Sequence, residues 1–488
     1  MTPFILSVAP LAIFILLLLW KKMPLIRVSF ITLVLVAGLA FFYWRIFPPL
    51  LLASGAKGFF IALDIFVIIL GAIFFLEIIK NFKVIDSISY YLESFSKDYR
   101  VQIIVLAWFF ENFLEGTAGF GTPVVIVAPL LIGLGLSPLK AIIIALLGNS
   151  SAVVFGAAGT PIRIGFEGLD VSSVPYLSSL INFVGLIVPA FMLWILVADK
   201  PDKKQQFFEA LPFAIWSGIA FVVPSFLVVG LGQEFPSILG SVIGLFLVLI
   251  SLRLNIFAPK NIRSGFKATT PAEPLPLSKA VLPYALLIVF LIAGKFLLSG
   301  VSESVQFRGL SHSFSLFNPG LAFIVSGLIT ALIWKDKMML KAKTATIALK
   351  RAMGPFLVIA FMSAIVQIMI NSDQIALIAE SFETPLLAFW TPFIGAFGAF
   401  ITGSATVSNI MFGNFLNTAA GIMHLAGGKI LALALVGAAA GNMVALADIL
   451  SGEAVVGLKN EERRILKGVI VPCLVYLSLA GLIGILII

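Results

Sequence analysis

Residues 108–136 read WFFENFLEGTAGFGTPVVIVAPLLIGLGL, an apolar stretch that is too long for a single membrane-spanning helix. Gly116, Gly119 and Gly121 interrupt this stretch, and Pro123 follows them. Glycine tolerates irregular backbone and proline lacks an N–H donor, so we predict that helical hydrogen bonding breaks here. A broken backbone cannot face lipid, and the break must therefore lie inside the protein or line a cavity.

The rest of the chain has the composition of a membrane protein. Of its 488 residues, 60% are hydrophobic and only 11% are charged, whereas about a quarter of the residues in a soluble domain are charged. Apolar runs of roughly 17–25 residues recur along the chain and do not alternate with polar residues. We therefore expect an all-α polytopic membrane protein with about 12–14 hydrophobic segments, counting full and half crossings.

The basic residues divide the chain. The net charge is +9, and it is concentrated in short loops, as in cytoplasmic loops of membrane proteins, which argues against nucleic-acid binding. The least hydrophobic stretch, residues 255–279, contains Pro271, Pro274 and Pro276. It is predicted to be a cytoplasmic linker between an N-terminal membrane half (residues 1–254) and a C-terminal membrane half (residues 280–488).

Several functions are disfavoured by what the sequence contains. One cysteine, Cys473, and two histidines cannot build a disulfide framework or a cysteine–histidine metal cluster. No phosphate-binding P-loop sequence and no nucleophile–base pair stands out. We expect no cofactor, no metal site and no enzymatic activity, and we expect transport to be driven by an ion gradient.

The chain also repeats itself. Phe113–Ala118 (FLEGTA) resembles Phe400–Ala405 (FITGSA), and residues 140–149 resemble residues 429–438 at nearly the same offset. Charge placement starts the first copy from the inside and the second copy from the outside. This pattern predicts inverted structural repeats with broken helices or re-entrant hairpins, which hold a substrate near the middle of the membrane.

Each copy has a second break, at Gly148–Ser151 with Gly156, Gly159 and Pro161 after it, and at Gly437–Asn442. The N–H groups at half-helix ends suit a carboxylate, and nearby hydroxyls and amides complete its cage. The residues that we expect to bind or shape this site are Gly116, Thr117, Gly119, Asn149, Ser150, Ser151, Thr402, Gly403, Ser404, Thr406 and Asn409. Arg163 either pairs with a carboxylate there or lies at the outer surface.

Buried acids are the candidates for proton coupling. Glu111 and Glu115 lie four residues apart on one helical face, and their mutual repulsion favours a proton on one of them. Alternatively, Glu115 caps the broken backbone. Asp448 and Glu453 occupy the corresponding region of the second copy, where they either take part in coupling or cap a helix near its cytoplasmic end.

Residues 112–123 resemble the Leu-Glu-Gly-Ala-Ala-Gly-Phe-Gly-Ala-Pro signature of the bacterial L-lactate permease family. The resemblance continues at residues 131–135, 154–161, 400–409 and 455–459. It implies proton-linked uptake of lactate, and often of glycolate, across the bacterial inner membrane. By position it also implies that the following residues line or shape the site: Glu115, Gly116, Gly119, Thr402, Gly403, Ser404 and Asn409.

The second half departs from the family pattern at two places. Ala405 stands where such permeases usually have aspartate after Thr-Gly-Ser, and Ala445–Asp448 stand where they have Ser-Pro-Gln-Ser. A carboxylate and a proline–glutamine break are thus missing, while Asp448 and Glu453 lie nearby.

Together these patterns predict a secondary active transporter that imports a small monocarboxylate, similar to L-lactate or glycolate, by proton symport. A sodium-coupled carrier of another small anion on the same fold is the alternative. The expected partners are the small carboxylate, a proton or sodium ion, and membrane lipid, and the sequence is compatible with a homo-oligomer.

Overall fold

The computed structural model describes residues 2–19, 23–119, 122–263, 274–298, 301–308, 310–334, 342–381, 384 and 386–487. Nine helical stretches among these residues are long and apolar enough to cross a membrane, and one further pair is bent by 44° at a break. Four shorter apolar helices accompany them. The prediction of a helical multi-pass membrane protein with full and half crossings is confirmed.

The elements up to the predicted linker are all helical. Their bounds are α1 (Thr2–Leu19), α2 (Leu25–Phe42), α3 (Pro48–Asn81), α4 (Val84–Ser94), α5 (Tyr99–Ile104), α6 (Glu111–Thr117), α7 (Thr122–Gly133), α8 (Pro138–Gly148), α9 (Gly156–Arg163), α10 (Val174–Ile181), α11 (Val188–Val197), α12 (Lys203–Val228) and α13 (Pro236–Arg253). A π-helical turn, Val105–Phe110, joins α5 to α6. Short 3-10 turns, including Ser151–Phe155 and Asn182–Ile187, extend or join other helices.

The second half contains the remaining helices and one small sheet. The helices are α14 (Leu277–Leu298), α15 (Pro319–Ile333), α16 (Ala342–Asn371), α17 (Gln374–Glu380), α18 (Leu387–Thr402), α19 (Ala405–Ile422), α20 (Gly427–Gly441), α21 (Leu446–Val456) and α22 (Glu462–Ile487). Between α14 and α15, strands β1 (Ser302–Phe307) and β2 (Leu310–Ser315) form an antiparallel hairpin with Phe307 opposite Leu310. The sequence analysis did not predict this hairpin.

The same order of elements occurs twice. A long helix, a short helix, a hairpin of two helices and a broken helix follow one another in α3–α9, and again in α16–α21. Both predicted breaks of the first copy and both of the second copy interrupt helices at the expected residues. The repeat that the two sequence matches predicted is therefore present in the fold.

Contacts with α22 show that the two copies run in opposite directions. Ile143 and Ser151 of the first broken helix lie beside Gly468 and Tyr476, so this helix runs parallel to α22. In the second copy, Lys429 Nζ donates to Ile487 O (2.5 Å), whereas Cys473 contacts the carbonyl of Ala440 (3.4 Å). Helix α20 thus runs antiparallel to α22, and the repeats are inverted, as predicted.

Glycines bring the long helices into close contact. The backbone of Gly71 in α3 approaches the backbone of Gly320 in α15, and Gly58 in α3 packs on Ala364 of α16. Small residues permit such approaches in membrane helices, where lipid supplies no hydrophobic driving force for association. In this way helices of the two predicted halves pack against one another. The division at residues 255–279 stays a prediction, and residues 264–273 lie outside the described part of the chain.

A buried arginine joins three segments at one end of the molecule. Arg100 is 0% exposed; it donates to Asp98 Oδ2 (2.7 Å), to Glu209 Oε2 (3.2 Å) and to the carbonyl oxygens of Gln206 (2.8 Å) and Asn261 (2.9 Å). The segment after α13 is held as well, because Arg263 N donates to Asp98 Oδ2 (3.1 Å). This cluster fixes the start of α5, and therefore the root of the first hairpin.

Replacing Arg100 by methionine should lower the thermal unfolding midpoint of the detergent-purified protein strongly. The change leaves Asp98 buried without its cation, a loss of about 3–5 kcal/mol. Arg464→Met is the matched control, because Arg464 pairs with Glu461 while the two side chains are 66% and 27% exposed, and an exposed pair contributes about 0–1 kcal/mol. Equal losses for the two variants would contradict this account of Arg100.

Candidate functional site

The four breaks of the two copies meet inside the protein. Gly119, at the tip of the first hairpin, packs against Ala157 after the break in the first broken helix. Asn409 of α19 donates from Nδ2 to Pro161 O (2.9 Å), which joins the second hairpin to that helix. Gly403, at the tip of the second hairpin, packs against Ala447 at the start of α21. Both hairpin tips and both broken helices therefore surround one region.

A cavity of about 20 Å³ lies at this meeting point. Its lining consists of Glu115, Gly119, Val153, Gly156, Ala157, Pro161, Gly403, Ser404, Ala405, Thr406 and Asn442. Pockets for drug-sized ligands measure about 300–1,000 Å³, and this cavity is far smaller than they are. Residues from both copies contribute to the lining, as expected of a site between inverted repeats.

The tip of the second hairpin is shaped by short-range hydrogen bonds. Thr402 Oγ1 donates to Gly398 O (2.8 Å) and accepts from Ser404 N (3.3 Å), and Gly403 has a φ of 70°. Ser404 Oγ then accepts from Val407 N (3.3 Å), which makes Ser404 the N-cap of α19. The first N–H groups of a helix have no partner within the helix, and here Ala405 and Thr406 lie on the cavity.

The tip of the first hairpin presents a carboxylate to the same cavity. Glu115 is 3% exposed, and its Oε2 atom has no hydrogen-bond partner among the described residues. Its other oxygen, Oε1, lies against Gly156, where any side chain would collide with it. The π-helical turn before α6 adds a residue to the helical turn ahead of Glu111, and such turns often occur at functional sites.

Two more acids lie near Glu115. Glu111 is buried against Gly148, and neither of its carboxylate oxygens has a hydrogen-bond partner in the described part of the chain. Asp448, in the first turn of α21, is buried with Oδ2 likewise unpartnered among those residues. The charge of Glu115 is within electrostatic reach of both other acids. Three carboxylates, contributed by both copies, thus form one interacting group.

The wall of the cavity includes a strained turn. Ala157, Ala158 and Gly159 have φ values of 42°, 54° and 80°, and left-handed conformation costs roughly 1–2 kcal/mol for each residue other than glycine. Thr160 Oγ1 donates to Ala157 O (2.5 Å) and supports the turn. Strain of this kind concentrates at functional sites, where the surroundings hold it in place.

Five residues of the predicted site line the cavity, and others shape it from behind. Glu115, Gly119, Gly403, Ser404 and Thr406 face it directly. The hydroxyls of Thr117 and Ser150 donate to backbone carbonyls of their own helices, Ser151 lies 3.5 Å from Tyr476 OH, and Gly116 packs against Ile238 of α13. Asn149 follows Gly148, fully buried, with no partner for its amide among the described residues.

Four further predicted residues lie away from the cavity lining. Arg163 donates to Phe317 O (3.1 Å) in the segment between β2 and α15. Glu453 accepts from Glu461 N (2.8 Å), the capping arrangement that the sequence left open. Thr402 lines a neighbouring cavity, and Asn409 contacts Pro161 from behind.

The lining also contains residues that the sequence analysis did not assign to the site. Ala405 and Asn442 are the clearest examples. Asn442 is the last residue of the predicted Gly437–Asn442 break, and this position was the sequence feature that could have assigned it to the site. In the sequence, Ala405 was noted only as a departure from the family motif after Thr-Gly-Ser.

A larger cavity of about 200 Å³ adjoins the first and shares Gly403 and Ser404 with it. Its other walls come from Leu25 at the start of α2 and from residues 355–359 of α16. Both segments follow basic stretches, Lys21–Lys22 and Lys335–Arg351, which we predict to be cytoplasmic. The tip of the second hairpin thus connects the buried cavity to this second space.

Inverted membrane repeats whose breaks enclose a small polar cavity are the architecture of many membrane transporters. Within that class, the model of the L-lactate permease family matches residues 3–298 and 295–488. The chain therefore belongs to the L-lactate permease family, which confirms the resemblance found in the sequence. The family name denotes a transporter and not an enzyme.

Individual relatives cover most of the chain. An L-lactate permease of Streptococcus iniae is 30% identical over 401 residues, covering 77% of this chain and 81% of its own. The glycolate permease GlcA of Escherichia coli is 26% identical and covers 93% and 90%. Among solved structures, the YdaH transporter of Alcanivorax borkumensis has a TM-score of 0.45 and 14% identity, over 86% of this chain and 84% of that chain.

Gly403→Ala should reduce uptake of labelled L-lactate by roughly tenfold at equal protein level. The added methyl group would lie 2.6 Å from Ala447 Cβ and would displace the tip of the second hairpin. Gly457→Ala is the control, because Gly457 has a similar φ of 75° and open space around the new methyl group. If both variants transport equally, the tip geometry does not matter for transport.

Proposed function

We propose that this chain imports a small monocarboxylate of the lactate or glycolate type together with a proton, across the bacterial cytoplasmic membrane. The observation that carries the proposal is the sharing of one buried cavity by Glu115 and the N-terminus of α19. The similarity to relatives named L-lactate permease and glycolate permease supports the substrate class.

The start of α19 is the part of the cavity suited to an anion. Among the described residues, the lining contains one acid, Glu115, and no lysine or arginine. The unpaired N–H groups at the start of α19, and the partial positive charge of that helix end, remain as donors for a carboxylate. The hydroxyl of Thr406 lies beside them. A monocarboxylate matches this single donor cluster better than a dicarboxylate would.

Electrostatic repulsion is the reason to propose a proton on Glu115. A charged Glu115 and a bound carboxylate would be two anions in a buried cavity, where charges repel far more strongly than in water. A proton on Glu115 removes this repulsion and turns its carboxyl group into a hydrogen-bond donor. The carboxylate therefore binds together with a proton, and each stabilises the binding of the other.

Glu111 and Asp448 extend the proposed proton path. Each interacts electrostatically with Glu115 and has an unpartnered carboxylate oxygen in the described part of the chain. Asp448 belongs to the second copy and Glu111 to the first, so the proton could be handed from one copy to the other. The inverted copies, rocking against each other about the cavity, would expose it alternately to the two sides.

Glu115→Gln should abolish accumulation of L-lactate in proteoliposomes while exchange of internal for external lactate persists. Glutamine keeps the shape and the hydrogen-bonding capacity of the protonated acid but cannot release a proton. Accumulation is measured with an inward proton gradient, and exchange is measured with no gradient. The control is Glu453→Gln, in which the amide oxygen can still accept from Glu461 N. Normal accumulation by the Glu115 variant would remove this residue from coupling.

A separate experiment identifies the coupling ion, whichever residue carries it. An inward proton gradient without sodium should accelerate L-lactate uptake, and an inward sodium gradient at equal pH on both sides should not. The second cavity and the hydroxyl-rich tips also suit a sodium-coupled carrier, the alternative considered from sequence. Acceleration by sodium alone would favour that alternative and overturn proton symport.

A further inference from the structure

Asn442 is an unexplained polar residue in the cavity wall. It is 4% exposed and lines the cavity together with Glu115, Ser404 and Ala405. Its Oδ1 atom is buried and has no hydrogen-bond partner among the described residues. Leaving a buried acceptor unpaired costs free energy that a folded protein rarely gives up without a functional reason.

The position of this amide is fixed by the backbone around it. Asn442 begins a 3-10 turn, Asn442–Val444, in the break between α20 and α21. Gly441, just before it, packs with no room for a side chain on the backbone of Ala396 in α18. The side chain thus extends from a tightly packed junction, which is how a precise binding group is held.

We infer that Asn442 accepts a hydrogen bond from the 2-hydroxyl group of the substrate, and that it thereby selects 2-hydroxy monocarboxylates. This inference rests on the proposed function. In such a substrate the hydroxyl lies on the carbon next to the carboxylate, so one short molecule can reach two neighbouring groups. The carboxylate binds the N–H groups at the start of α19, and the hydroxyl donates to Asn442 on the same cavity.

Small residues line the cavity between these two groups. Ala405, Gly156 and Gly119 present little or no side chain to the cavity. Glu115, which is protonated in the bound state, is another donor within the cavity and competes for the same acceptor. The two possible donors to Asn442 can be distinguished. If the substrate hydroxyl is the donor, the preference for hydroxylated substrates depends on Asn442; if Glu115 is the donor, it does not.

Selectivity against analogues follows from the missing donor. Propionate has no 2-hydroxyl group, and pyruvate has a carbonyl oxygen that would face the acceptor of Asn442. A site built to bind a hydroxyl rejects analogues that lack it, because its own polar group is then left unpaired. We expect the wild-type KM for L-lactate and glycolate to be roughly tenfold to hundredfold below that for propionate and pyruvate.

The test measures uptake of labelled L-lactate, glycolate, propionate and pyruvate by proteoliposomes containing wild type or Asn442→Leu. Leucine has a similar size and no polar atom. The variant should raise the KM for L-lactate roughly tenfold or more and leave the KM for propionate unchanged or lower. Asn417→Leu is the control, because Asn417 lies in α19 about 18 Å along the helix from Ala405.

A second measurement keeps the inference testable if the leucine variant does not fold. In the wild-type protein, L-lactate and glycolate should raise the thermal unfolding midpoint more than propionate or pyruvate at equal concentration. Equal KM values or equal midpoint shifts for hydroxylated and unsubstituted acids in the wild type would overturn the role of Asn442. An unchanged preference in Asn442→Leu would assign its partner to Glu115. Absence of uptake for all four acids would overturn the proposed function itself.

Discussion

The rest of the structure depends on one constraint, that backbone N–H and C=O groups cannot be left unpaired against lipid. Glycine and proline interrupt this chain at four places within its apolar helical segments. The interruptions are tolerated only where protein surrounds them, so both hairpin tips and both broken helices converge on one cavity. Convergence in turn brings helix ends, which suit anions, next to buried acids, which we propose carry the proton. The proposed binding site and the proposed coupling group therefore arise from the same breaks.

The sequence predicted the breaks well because glycine and proline act locally. Gly119 and Gly403 both have positive φ values, and both lie at hairpin tips. The opposite directions of the two copies also followed from the sequence, because the charges in the loops differ between the two starting points. These features depend on a few neighbouring residues and are therefore readable from one chain.

Other features depend on packing that sequence does not record. Thr117 and Ser150 are polar residues at breaks, yet their hydroxyls donate to backbone carbonyls of their own helices and not towards the cavity. The side-chain rotamer and the direction of the helix decide between these two outcomes. Asn442 faces the cavity because α18 packs closely on Gly441. The β1–β2 hairpin was missed although Leu310, His312 and Phe314 alternate with serines along β2. Each strand has only six residues, and β1 is exposed along its whole length, so the segment between α14 and α15 resembles a polar loop in an otherwise helical chain.

The departures from the family pattern gain a physical meaning in this arrangement. Ala405 lies at the start of α19, where an aspartate would place a second negative charge on the proposed carboxylate site. With alanine there, Glu115 is the one acid in the described lining, while Asp448 stands behind it within electrostatic reach. On this account the acidic function has moved from the hairpin tip to the broken helix of the same copy.

The central claim is that the carboxylate and the proton on Glu115 bind together. It is tested most directly by isothermal titration of L-lactate into the purified protein, in buffers of different ionisation enthalpy and over a series of pH values. The account predicts proton uptake on binding that rises towards about one proton per lactate as the pH increases, and no such uptake in Glu115→Gln. Lactate binding without proton uptake at any pH would contradict it.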